Sequence, residues 1–163
     1  MDKPIPTPKS ILREIKILHL VLFMSLILFT FIMVYILQTS GGLHEFDKQM
    51  EFIIKTLVIF TVVLIIPLSF ILPQRIISRI KANLPLIPKL LQYRTALIIR
   101  FATLNFAGSL VAISFFIIAD TNLMFLQAIV LLVFFIFKPS AFKIAQDLNL
   151  GPDEKRHLMP EEE

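Results

Sequence analysis

Four stretches of this chain carry no formal charge over a length that matches a lipid bilayer: Ile17 to Leu37, Thr56 to Leu72, Phe101 to Ala119 and Thr121 to Phe137, with His19 counted as neutral. A hydrocarbon core about 30 Å thick takes about 20 mostly apolar helical residues to cross. The second and fourth stretches, at seventeen residues each, sit near the lower limit. Lys55 and Lys138 at their ends lengthen them by burying alkyl stems while the ammonium groups stay among headgroups. The fold class this predicts is an all-α polytopic membrane protein with four transmembrane helices, over about 17–37, 56–72, 95–119 and 121–137. Those spans form a membrane domain of residues 17–137, between an N-terminal arm of 1–16 and a tail of 138–163. Composition agrees, since 56% of the 163 residues are hydrophobic and 17% charged, against about 45–50% and 25% in soluble domains. The first stretch holds twenty-one residues and three more spans come after it. The apolar core of a secretory signal is shorter, about 7–15 residues, so this one reads as an uncleaved helix.

Loop charges orient the spans, because Lys and Arg are retained on the cytoplasmic side. The arm holds Lys3, Lys9, Arg13 and Lys16, the loop between spans two and three holds Arg75, Arg79, Lys81, Lys89, Arg94 and Arg100, and the tail holds Lys138, Lys143, Lys155 and Arg156. Fourteen of the sixteen cations therefore fall on one side, and only Lys48 and Lys55 on the other. Both termini are expected in the cytoplasm, which agrees with an even number of crossings. Ile, Lys and Phe usage and the compact loops give a plasma (inner) membrane as the expected location.

Between the spans, prolines 4, 6 and 8 predict an extended arm, and Ser10 is a candidate cap for the first helix. Leu43 to Lys55 reads as an outer amphipathic helix running into span two, where Pro67 should bend the helix and Pro73 should end it. From Gln74 to Arg94 five cations and no carboxylate accompany Ile76, Ile77, Ile80 and Leu84. That spacing predicts a segment lying flat on the membrane with Arg75, Arg79 and Lys81 towards anionic headgroups. Its function is either to fix topology by snorkelling or to bind a lipid or polyphosphate. Beyond Lys138-Pro139, Ser140 is expected to cap a short helix, Gly151-Pro152 to end it, and Pro152 to start another turn.

Polar residues within the spans are costly and need a direction and a depth before they mean anything. On the third span Ala102, Asn105, Gly108, Ser109 and Ala112 fall within one arc at about 100° per residue, a small-residue face suited to a neighbouring helix. Depth groups Gln127, Thr30 and Thr61 in an outer layer, and Asn105, Ser25 and Ser69 in a middle one. Both layers are expected to be interhelical hydrogen-bond clusters. Arg100 projects about 140° from Asn105 on the helical wheel. It either snorkels to the inner interface or pairs with a lipid phosphate or a partner's carboxylate.

The chain has no cysteine and three histidines, His19, His44 and His157, assigned to different loops and faces. No metal site, no cofactor and no nucleic-acid partner is expected, because phosphate-binding loops, nucleophile elbows and zinc-binding helices are lacking. The size is similar to that of four-helix small multidrug pumps, but those depend on a carboxylate in the first span, and Ile17 to Leu37 has none. The expected role is a non-catalytic accessory, assembly or scaffolding subunit, in contact with anionic lipids and with a membrane-protein partner or copies of itself. A small oligomeric transporter or channel is the second reading and a lipid-headgroup enzyme the third.

Overall fold

The computed structural model describes residues 6–40, 46–81 and 83–158. They form six helices, α1 (Pro8–Ser40), α2 (Lys48–Ile77), α3 (Leu86–Ile118), α4 (Thr121–Ile136), α5 (Ala141–Asp147) and α6 (Pro152–Leu158), with no strand among the described residues. Each of the four uncharged stretches lies in one of the first four helices. α1, α2 and α3 are each long and apolar enough to cross a membrane. α4 has 16 residues, a reach of about 24 Å at about 1.5 Å per residue. It breaks by 79° into α5, so the described residues hold three candidate spans, or four when that bent pair is counted as one.

The helix ends show how local chemistry sets the boundaries. α1 starts earlier than the proline-rich arm suggests, because Pro8 occupies the first helical position, where no N–H is needed. Thr7 is the cap: its Oγ1 accepts from the Ser10 N–H at 3.2 Å, and the Thr7 N–H donates to Ser10 Oγ at 3.0 Å. Ser10, expected as the cap, is instead the third residue of this reciprocal box. The flat interfacial segment after span two is not formed. α2 carries on through Pro73 to Ile77, the chain turns at residues 78–80 and 83–84, and α3 starts at Leu86 with Pro88 in its first turn. Ser140 caps α5 as expected, its Oγ accepting from the Lys143 N–H at 3.2 Å. The outer helix ahead of span two begins at Lys48, and Leu43 lies outside the described residues.

α3 is the hub, packed against α2, α1 and α4, while α1 and α2 touch one another little. Its buried side includes Leu90, Leu97, Phe101, Leu104, Val111 and the small residues Ala96, Ala107, Gly108 and Ala112. Side-chain size, not hydrophobicity, distinguishes that side, since every face of a membrane helix is apolar. α1 and α2 turn large apolar residues outward, among them Phe31, Tyr35, Phe52 and Phe60.

Candidate functional site

The polar groups fall into two clusters inside the helix bundle and a third at its basic end. On the α2 side of α3, Pro73 has no N–H to give to the carbonyl of Ser69, four residues earlier in the helix. Arg100 fills that gap: its Nε donates to the Ser69 carbonyl at 3.2 Å, and its guanidinium stands 4.7 Å over the Phe137 ring. Only 8% of Arg100 is exposed. The side chain is thus engaged within the protein by a backbone acceptor and an aromatic face. Pro73 is the sequence signal for this contact, since it marks an orphaned carbonyl on a neighbouring helix.

On the α1 side, Asn105 Nδ2 donates to the Leu22 carbonyl at 3.0 Å, an oxygen that also accepts from Ser25 Oγ at 2.9 Å. Gly108 lies under Leu26 so closely that an added Cβ would meet Leu26 Cδ2 at 2.6 Å. Ala112 is buried, Ser109 half-buried and Ala102 exposed, so the predicted arc is narrower than the wheel suggests. Gln127 of α4 reaches α1, its Nε2 donating to Thr30 Oγ1 at 2.8 Å, while its buried Oε1 has no partner. Two expected layer members stand elsewhere. Thr61 bonds the Leu57 carbonyl of its own helix at 2.7 Å, and Ser69 sits with Arg100, not with Asn105 and Ser25. Depth alone places them together, but α3 lies between α1 and α2 and separates the residues they carry.

At the basic end, one ion pair and one phenol bind the tail to the bundle, and a second ion pair joins α1 to α3. Lys89 Nζ donates to Glu154 Oε1 at 2.7 Å, Tyr93 Oη to Asp147 Oδ2 at 2.7 Å, and Arg94 Nη1 to Glu14 Oε2 at 2.6 Å. Lys89 holds the Glu154 carboxyl below its ordinary range, with help from the Gly151 N–H. Lys81 lines a polar cleft of about 320 Å³ with Lys89, Asp147 and Asn149, whereas Arg75 and Arg79 are not among its lining residues and are exposed. At the opposite end, Lys55 of α2 pairs with Asp120, which caps α4 by accepting from the Asn122 N–H at 2.8 Å. The Lys55 ammonium holds that carboxyl below its ordinary range.

The end of α4 is closed by donors of the chain itself. Its last four carbonyls accept from the Phe137 N–H (Val133 and Phe134), the Lys138 N–H (Phe135) and Lys143 Nζ (Ile136). His19 Nε2 adds a second donor to Phe134 at 3.2 Å. These are the groups a helix C-terminus leaves unpaired, and cations beside them suit the helix dipole. No group of metal-ligating side chains occurs among the described residues. The chain matches no protein family, no curated protein and no solved structure.

Proposed function

We propose that this protein is a four-span subunit of the plasma (inner) membrane, with both termini in the cytoplasm. Its role is non-catalytic: an accessory, assembly or scaffolding part of a larger membrane complex or of a homo-oligomer. The observation that carries this reading is the contrast between a helix bundle whose polar groups mostly bond to one another or to backbone and a bare stripe on α1. Leu20, Met24, Leu28, Phe31 and Tyr35 recur every three or four residues, and each is more than half exposed. A stripe of that kind suits a partner helix. For orientation, the Arg94–Glu14 and Lys89–Glu154 pairs gather the starts of α1 and α3 and the tail at one basic end, and cations favour the cytoplasmic leaflet. That leaflet's anionic lipids are the neighbours proposed for Arg75, Arg79 and Lys81.

A photo-crosslinking residue at Phe31 tests the subunit reading, with one at the equally exposed Phe125 of α4 as control. Phe31 should yield a discrete protein adduct and Phe125 lipid adducts; lipid adducts alone at both sites would refute it. Orientation is read with reporters fused after Phe46, expected outside, and after Leu84, expected inside.

An oligomeric channel or transporter is the second reading, favoured by the unpartnered Gln127 Oε1 between α1 and α4. Solute flux in proteoliposomes that Gln127→Leu abolishes would establish it in place of the first.

A further inference from the structure

α1 and α4 meet loosely, and a seam between them opens sideways. At its basic end a crevice of about 340 Å³ is lined by Lys16 and Lys138, with Leu20, Met24 and Phe135 as apolar walls. A second crevice of about 260 Å³, lined by Ile27 and Leu131 among others, continues it. Along α1 the lining residues 16, 20, 24 and 27 advance by three or four, and along α4 the lining residues 138, 135 and 131 descend in step. The two crevices are therefore successive parts of one groove.

Lys89 and Arg94 have carboxylate partners, whereas Lys16 and Lys138, like most cations at this end, form no ion pair among the described residues; what sets these two apart is that they line one apolar-walled crevice that no carboxylate lines. Both line the basic-end crevice, immediately before the first uncharged stretch and immediately after the fourth. We propose that the α1/α4 groove is a site for one anionic phospholipid, its phosphate between Lys16 and Lys138 and one acyl chain lying along Leu20, Met24, Ile27 and Leu131. Length supports this occupant. Eleven residues separate Lys16 from Ile27, or about 16 Å at about 1.5 Å per residue. One leaflet of a core about 30 Å thick has nearly the same depth. The chain ends short of Gln127 and Thr30, so it meets apolar walls throughout. Its path shares Leu20 and Met24 with the α1 stripe, so a bound lipid leaves Leu28, Phe31 and Tyr35 of that stripe to a partner helix.

The test is native mass spectrometry of the full chain, titrated with phosphatidylglycerol and phosphatidylcholine of identical acyl chains. Wild type should retain one phosphatidylglycerol per chain, with about tenfold preference over phosphatidylcholine, close to one charge-assisted contact of about 1.5 kcal/mol. The paired substitution Lys16→Gln/Lys138→Gln should bring that preference within twofold, and Lys16→Arg/Lys138→Arg should keep it. Met24→Trp, which fills the groove and leaves both lysines, should lose retention of either lipid. Inorganic phosphate should not displace the bound lipid, whereas hexadecyl phosphate should. A wild-type measurement guards against misfolded variants: phosphatidylglycerol with a photoreactive group near its chain end should label the stretch around Ile27 or Leu131. Unchanged preference in the glutamine pair, no preference in wild type, labelling elsewhere, or a second protein chain in the groove would each overturn the proposal.

Discussion

α3 meets α2 through Arg100, aimed at a carbonyl that Pro73 leaves without its helical donor, and meets α1 through Asn105 and Gly108. The Leu22 oxygen that receives Asn105 already accepts from Ser25. Removing Arg100 therefore orphans a buried acceptor, whereas removing Asn105 orphans nothing. Two polar contacts of similar geometry should differ several-fold in energetic weight, because what matters is the group left behind.

The largest effect should come from breaking the α2 side. Arg100→Met should cost about 2–3 kcal/mol, through an unsatisfied buried carbonyl and a lost charged donor. The cost should fall by about 1 kcal/mol in a Pro73→Ala background, where residue 73 regains an N–H for Ser69. Thermal unfolding of the four proteins in one detergent measures the coupling, and strict additivity would remove Pro73 from the explanation. On the α1 side, Gly108→Leu should cost about 1–3 kcal/mol by forcing Leu26 off its seat, and should loosen α1 from α3 in disulfide-trapping experiments. Asn105→Leu should cost only about 0.6 kcal/mol, the ordinary worth of an interhelical hydrogen bond in a membrane. Equal losses for Arg100→Met and Asn105→Leu would defeat the contrast between the two sides.

Outside the membrane the same logic gives a pH dependence. The Glu154 carboxyl titrates below its ordinary value in the folded protein, because Lys89 favours the charged form. Its contribution is present above the unfolded pKa of about 4.3 and is lost as pH falls through the lower folded value. Docking of the tail, monitored by proteolysis of α5 and α6, should weaken in wild type as pH falls below the unfolded value of about 4.3 and lose that acid step in Glu154→Gln. The smallest effect, about 0.5 kcal/mol, is expected for Lys55→Gln, whose pair with Asp120 is partly open to solvent.

Much of this arrangement is legible in residue order. The four uncharged stretches mark four helices, Gln127 and Thr30 share a layer and a hydrogen bond, and Gly108 belongs to a helix contact. The sideways order of the helices is not legible, since uniformly apolar helices carry no hydrophobic face to show which neighbour they take. That gap is why depth groups Ser69 with Asn105 and puts Thr61 in a cluster it does not join. The flat basic segment fails for a local reason: Gln74 to Ile77 fit the last turn of α2 as well as a surface helix, and Pro73 is tolerated where Arg100 serves the carbonyl it frees.

The short reach of α4 has a consequence for the surrounding membrane. In the four-span arrangement, a 16-residue helix stands beside neighbours of 30 residues or more. The hydrocarbon around it must thin on that flank alone, at a cost of fractions of a kcal/mol per Å. The molecule should accordingly sort towards thinner bilayers and draw shorter-chain lipids to one side of itself.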